Sequence, residues 1–346
     1  MQRKVIVAMS GGVDSAVAAY RLIGQGYTVS GATLTLFDAE SDLSAGARDI
    51  CRRLGIEHVV IDARETFARH VIDPFVQSYL GGQTPNPCIF CNRHIKFGLL
   101  YEYARSQGAG FLATGHYARM EYDGGAYILR KARDSRKDQS YVLYALTQEQ
   151  MAHVLFPLGD LTKEETRLMA AREGLLPPST KESQDICFLP DGQYARFLET
   201  YTGVPHEPGD FVDEQGRILG RHKGQARYTV GQRKGLGLSA PEPLYVCGKD
   251  ARANRVILAP EGRLFSRHLE ADALCWIADK APGGDFTAAV KIRYSHKEQP
   301  ARILLLGEDR MRVTFDKPQR AATPGQAVVL YDGDAVLGGG TICAMI

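Results

Sequence analysis

A run of buried-strand residues, Lys4–Met9 (KVIVAM), passes straight into Ser10-Gly11-Gly12-Val13-Asp14-Ser15. An amphipathic segment follows, with Ala16, Val17, Ala19, Tyr20 and Ile23 on helical spacing. Strand, glycine loop and helix in that order open a βαβ unit, and the alternation continues. Tyr27–Leu36 reads as strand, Leu43–Leu54 as a helix ended by Gly55, and Glu57–Ile61 as strand. Asn92–Gln107 reads as helix and Phe111–Ala113 as strand. Such alternation requires a parallel sheet with helices on its faces. Ligands of such sheets sit beyond the carboxyl ends of the strands, where each motif of this half falls.

Thr162-Lys163-Glu164-Glu165 has the capping-box pattern and opens a helix expected to run to about Arg172. After Thr202 helical periodicity fades. Short runs separated by turn signals read as strands: Tyr228–Val230, Leu244–Cys247, Arg255–Leu258, Ala288–Tyr294, Arg302–Leu306, Met311–Phe315 and Ala327–Tyr331. The expected class is therefore α/β, a parallel-sheet Rossmann-like domain followed by two small β-rich domains. The expected division is 1–202, 203–266 and 267–346. Tyr117–Glu121 and Ala126–Arg130 flank Asp123-Gly124-Gly125, a hairpin signal.

Composition excludes several classes. With 346 residues, 44% apolar and 24% charged, the chain is neither disordered nor collagen-like. Its seven cysteines are an odd and small number for this length, which favours a reducing compartment over a disulfide framework. Only five apolar residues, Val5–Met9, follow the first basic pair, too few for a signal peptide, and no apolar run approaches a membrane span. A cytoplasmic location is expected.

The glycine loop suits a phosphate chain. Its glycines permit close backbone approach, the helix start offers free N–H groups, and Ser10 and Ser15 add hydroxyls. Asp14 is the candidate for Mg²⁺ or a phosphate-bound water. The plain alternative is an ordinary strand–helix turn. The Gly-Lys-Ser/Thr ending of a Walker loop is missing. Ser-Gly-Gly-x-Asp-Ser instead resembles the loop of N-type ATP pyrophosphatases, which cleave ATP between the α and β phosphates.

Three cysteines stand in motifs. Pro85-Asn86-Pro87-Cys88-Ile89-Phe90-Cys91-Asn92 is a stiff segment before a helix, and Cys91 is expected at that helix's N-terminus beside Arg93 and His94, which favours thiolate. The other site is Ser183-Gln184-Asp185-Ile186-Cys187-Phe188. Buried small hydrophobes are the bland reading, which suits Cys51, Cys247, Cys275 and Cys343. Structural zinc needs four ligands, and only Cys187, His94 or His116 remain to complete the Cys-x-x-Cys pair. A redox dithiol lacks a thioredoxin context. A fourth reading joins thiols and nucleotide loop: ATP activates a substrate oxygen as an adenylate and sulfur displaces AMP. One cysteine then carries a persulfide, and a second releases the sulfur by forming a disulfide. An iron–sulfur cluster on Cys88, Cys91 and Cys187 is its variant.

Taken together the motifs resemble one family over nearly the whole chain, the tRNA-specific 2-thiouridylases. The matching stretches are Ala8–Ser15, Thr84–Phe97 (TPNPCIFCNRHIKF), Ala113–Tyr117, Lys137–Tyr141 (KDQSY), Ser183–Phe188 (SQDICF) and Tyr228–Gly237 (YTVGQRKGLG). The resemblance implies an adenine-nucleotide α-hydrolase-like catalytic domain and a terminal β-barrel. It implies ATP-dependent 2-thiolation of uridine 34, the wobble base of tRNAs for Lys, Glu and Gln. Ala8, Met9, Ser10, Gly11, Gly12, Val13, Asp14 and Ser15, with Leu34 and Gly115, would bind ATP. Cys91 would be the nucleophile. Cys187 would receive persulfide sulfur from a relay protein fed by a cysteine desulfurase. Asn86, Pro87 and Cys88 would face the target base. Lys137, Asp138, Gln139, Arg293 and Tyr294 would contact tRNA. Some relatives carry Asp where this chain has Cys88.

A net charge of +2 hides an uneven distribution. Residues 1–202 carry 22 Lys+Arg against 23 Asp+Glu; the remainder carries 20 against 17. No acid lies between Glu214 and Glu242, a stretch holding Arg217, Arg221, Lys223, Arg227, Arg233 and Lys234. Arg130, Lys131, Arg133, Arg136 and Lys137 form a second cluster. Basic stripes suit phosphates, though solvated surface is the alternative. Uridine 34 lies in a single-stranded loop, so its base is open to a pocket. Two other functions compete: an amidating ligase using ammonia, and a non-catalytic tRNA-binding protein. The first leaves Cys91 and Cys187 unused; the intact nucleotide loop argues against the second.

Overall fold

A computed structural model describes residues 3–38, 42, 44–176, 186–189 and 192–346. The first strands are β1 (Lys4–Ala8), β2 (Thr28–Thr35), β3 (His58–Asp62) and β4 (Phe111–Ala113). The hairpin β5 (Ala118–Asp123) and β6 (Ala126–Lys131) follows, then β7 (Val154–Leu155). A five-stranded parallel sheet runs in the order β3-β2-β1-β4-β7. β1 is covered on both faces, so Val5, Ile6 and Val7 are all buried. The chain order reverses between β1 and β4, which opens a crevice at the carboxyl ends of those two strands.

The helix that precedes β4 is longer than its apolar spacing suggests. It begins at Pro87, carries a π-helical stretch over Cys91–Leu99 and finishes over Leu100–Ser106. Helical segments over Arg64–Leu80 and Tyr194–Thr202 were not evident as periodic runs. The capping box at Thr162 is present, with Thr162 Oγ1 accepting from Glu165 N and the Glu165 side chain accepting from Thr162 N.

The rest is β, apart from 3-10 turns. β8 (Gly209–Val212), β9 (Ile218–His222), β10 (Tyr245–Asp250) and β11 (Arg255–Ala259) form a four-stranded sheet. Tyr228–Val230, expected as a strand, is not one. It follows the short turn Gln225–Arg227, and Tyr228 and Val230 are buried as separate anchors. The last strands are β12 (Phe265–Trp276), β13 (Phe286–Lys291), β14 (Gln299–Leu305), β15 (Arg310–Arg320), β16 (Ala327–Asp332) and β17 (Ala335–Met345). They close into a six-stranded barrel because β12 pairs with both β15 and β17. The 266/267 division lies two residues into β12.

The nucleotide-side hairpin is grafted onto this barrel. β6 adds to β17 at Arg130–Ala335, and Asp334 accepts from Arg119 at 2.6 Å and from Arg130 at 2.5 Å. One apolar cluster runs from Ile6 and Leu112 through Tyr141 to Val329 and Tyr331.

Candidate active site

The loop after β1 takes its shape from two glycines and two serines. Gly11 has φ +76°, and a Cβ there would come within 3.1 Å of Ala47 N. Gly12 caps the helix Val13–Gly24. Ser15 Oγ donates to Gly12 O at 3.1 Å and accepts from Ser10 N at 3.2 Å. Met9 is buried; its N donates to Ala32 O and its O accepts from Thr33 Oγ1. Ala8 ends β1, Val13 is buried at the helix start, and Leu34 lies near the carboxyl end of neighbouring β2. Gly115 follows β4, where a Cβ would stand 2.9 Å from Asp14 C and 3.0 Å from Ser15 N. The expected nucleotide residues therefore gather at one edge.

Asp14 departs from the role expected of it. Its carboxylate accepts from Lys163 Nζ at 2.7 and 2.8 Å and from Tyr117 Oη at 2.9 Å. Lys163 is buried at the first turn of the helix Lys163–Arg172. A loop without its own lysine thus receives one from 149 residues downstream. Asp14 in this arrangement does not fit a metal, because its acceptors already face a cation and a phenol.

Cys91 is not at a helix N-terminus. Asn86 is the cap, accepting from Cys88 N at 3.1 Å, so Cys91 lies a turn further in. The neighbours named from sequence are also not the cations that matter. Arg93 points to solvent, and His94 stacks on His70 at 4.9 Å, with burial lowering its pKa toward the neutral form. Burial pushes the Cys91 thiol up; Lys96 opposes this and Cys88 adds to it. Cys88 is raised by its crowded surroundings and likewise opposed by Lys96, although its side chain reaches solvent. Cys187 is pushed up to about 12, first by desolvation and then by Cys91 and Cys88, with Lys96 opposing. Each thiol therefore senses Lys96, and Cys187 senses both of the others. Phe188 seats the Cys187 segment by packing edge-on against Phe67 and Phe75. Ser183, Gln184 and Asp185 lie outside the described residues. Among the described residues no group of three Cys, His, Asp or Glu converges to hold a metal ion, so the thiols as arranged do not fit a cluster.

The loop bearing Asn86, Pro87 and Cys88 is held from the barrel. Thr84 N donates to Pro324 O at 2.9 Å, and Gln326 Nε2 donates to Thr84 O at 2.7 Å.

The expected RNA contacts divide. Asp138 is buried and accepts from Ala132 N, Ser140 N and Ser140 Oγ, while Gln139 Oε1 accepts from Tyr117 N. Both side chains serve the fold. Arg293 is a strut, its Nη2 donating to Val230 O, Ala321 O and Thr323 Oγ1. Tyr294 remains 44% exposed, near enough to Cys88 for that thiol to help raise its pKa behind burial and Asp138. Lys137 is half-buried. In the basic clusters Arg130, Lys131, Arg133 and Arg136 pair with acids, as do Arg217, Arg221 and Arg227. Lys223, Arg233 and Lys234 are exposed and form no ion pair among the described residues. Sequence spacing had singled out neither Lys163 nor Lys96; the capping box located the first without its target, and the second needs the π-helix.

The fold and loop define a class, a HUP-type nucleotide-binding domain fused to two β modules. Residues 3–191 match the model of the tRNA methyl transferase HUP domain, 195–260 that of the tRNA methyl transferase PRC-barrel domain, and 266–342 that of the aminomethyltransferase beta-barrel domain. The tRNA-specific 2-thiouridylase MnmA of Carboxydothermus hydrogenoformans is 46% identical, covering 99% of this chain and 98% of that protein. The MnmA of Geotalea uraniireducens is 49% identical, covering 99% and 95%. An NH3-dependent NAD synthetase from Campylobacter jejuni overlays with a TM-score of 0.35 at 18% identity, over 59% of this chain and 77% of that one, too loosely to carry weight. The chain belongs to the tRNA-specific 2-thiouridylase family. A HUP domain fits ATP binding, and no helix among the described residues is long and apolar enough to cross a membrane.

Proposed function

We propose that this chain is an ATP-dependent tRNA-uridine 2-sulfurtransferase that thiolates C2 of uridine 34 in tRNAs for Lys, Glu and Gln. The observations that support this reading are a pyrophosphatase-type loop after β1 and three motif thiols, of which Cys187 senses the other two, while Cys88 and Cys91 lie on a helix whose Lys96 reaches His116 beside the loop's neighbouring turn. The uracil O2 attacks the α phosphorus of ATP and pyrophosphate leaves. A terminal persulfide sulfur on Cys187 attacks C2 and AMP leaves with the former carbonyl oxygen. The Cys91 thiolate attacks Cys187 Sγ, which frees the thiocarbonyl and forms a Cys91–Cys187 disulfide. An external thiol reductant resets the pair. A persulfide-bearing relay protein, itself charged by a cysteine desulfurase, is the proposed source of sulfur.

The division of labour follows the sequence: residues 1–202 for nucleotide and sulfur, 203–266 and 267–346 for gripping RNA. Asn86, Pro87 and Cys88 face the base, with Tyr294 beside them and Lys137 toward phosphates. Mg²⁺ accompanies ATP in this scheme, but no step is assigned to Asp14 as its ligand. The family-model descriptions mention methyl transfer; the thiols and the loop favour sulfur transfer, as do the names of the full-length relatives.

Incubation with ATP, a persulfide donor and unmodified tRNA, followed by nucleoside mass spectrometry, tests the proposal. It expects 2-thiouridine at position 34 with one AMP per sulfur. Sulfur-free tRNA with intact ATP hydrolysis would defeat it.

A further inference from the structure

We propose that Lys96 is the cation that stabilises sulfur anions in this site, acting against burial at Cys91 from one π-helical turn away and so easing formation of its thiolate. In an α-helix, residues five apart diverge by roughly 140°, since each step turns about 100°. The stretch Cys91–Leu99 is instead π-helical, with i→i+5 closure, which brings Lys96 under Cys91. Such stretches are uncommon and concentrate at functional sites.

The ammonium is tethered at its far end. Lys96 Nζ lies 3.3 Å from His116 Nε2. His116 is buried, and desolvation holds its pKa well below the usual value, with Lys96 adding to the effect. A lysine nitrogen has only protons to give here, so Nε2 accepts and Nδ1–H donates to Thr114 Oγ1 at 2.7 Å. His116 follows Gly115, where a Cβ would stand 2.9 Å from Asp14 C. Lys96 is thereby anchored to the same turn that packs on the nucleotide loop.

Other charged and titratable groups surround the thiols. The helix supplies Cys88, Cys91, Arg93 and His94, and its neighbour supplies His70. Cys187 enters from its own segment, and Tyr294, which senses Cys88, from the barrel. Arg93 faces solvent and the two histidines stack on each other, so among the described residues Lys96 is the side chain whose positive charge reaches Cys88, Cys91 and Cys187 alike. This gives the proposed sulfur transfer a positioning residue. It rests on that reading for its purpose, but its test needs neither tRNA nor ATP.

The test is site-resolved iodoacetamide alkylation of the full chain against pH, read by peptide mass spectrometry, with Cys247 as internal control. In Lys96→Met, the Cys91 midpoint is expected to rise by about one pH unit, which is a tenfold slower alkylation at pH 8. Lys96→Arg is expected to restore the wild-type profile. If Lys96→Met does not fold, Lys96→Gln, which retains a donor for His116, is read the same way. An unchanged Cys91 profile, or an equal shift at Cys247, overturns the assignment.

Discussion

Lys163 Nζ bridges both carboxylate oxygens of Asp14, at 2.7 and 2.8 Å. The pair joins the nucleotide loop to a helix 149 residues later in the chain. Under the proposed function, a triphosphate arriving at the loop would meet a lysine already in place, its charge shared between carboxylate and phosphate.

Lys163→Met is accordingly expected to weaken ATP binding by about tenfold or more, the scale of one charge-assisted hydrogen bond of roughly 1.5–3 kcal/mol. Calorimetric titration with a non-hydrolysable ATP analogue reads it directly. Wild-type affinity in a folded variant would remove Lys163 from the nucleotide site.

Cys187→Ser should abolish 2-thiouridine formation while leaving ATP and tRNA affinity within about twofold, a range in which surface or side-chain losses are usually felt little. Nucleoside mass spectrometry beside filter binding separates the two. Thiolation at the wild-type rate would show that the persulfide is carried elsewhere.

Arg293 and Lys137 should part company. Arg293→Ala removes the donor shared by Val230 O, Ala321 O and Thr323 Oγ1, of which the last two keep their bond to each other, and the expected loss of stability is about 1–3 kcal/mol. Lys137→Ala should reduce the salt slope of tRNA binding by about 1. A flattened slope with Arg293→Ala at full stability would restore it as a phosphate contact.

Acid should destabilise the protein through His116. Its folded pKa is depressed, so the unfolded chain takes up a proton below about 6.5 that the folded chain refuses. The stability is present above that value and is lost as pH falls below it. Denaturant titrations on either side of that value measure the loss, and His116→Asn should flatten the dependence. The thiols have the opposite sign. Cys187, raised to about 12, favours the folded state below the ordinary thiol value, and that contribution is lost as pH climbs toward 12.

Much of the parallel sheet was legible because β1 and its neighbours are continuous apolar runs closed by glycine signals. The loop chemistry was legible because glycine and serine leave few conformational alternatives there. Other elements were not. β12 was read as a domain boundary, because Phe265–Trp276 mixes Arg, His, Glu and Asp with apolar residues and its partners lie at the end of the chain. The thiolate argument for Cys91 failed because Asn86 begins the helix earlier and because burial outweighs neighbouring charge. Lys96 was invisible to α-helical spacing. Arg293 looked like an RNA contact because charge is read from sequence, whereas the carbonyls it serves come from residues 230 and 321.

The barrel's hold on Thr84 has a consequence for synthesis. The segment that carries Asn86, Pro87 and Cys88 is made well before the residues that pin it, Pro324 and Gln326, the latter 242 residues beyond Thr84. A nascent chain that has not reached them holds the glycine loop and all three motif cysteines, but its Thr84 backbone is unpinned. Under the proposed function, competence to modify RNA is thus expected to wait for the barrel segment that carries Pro324 and Gln326.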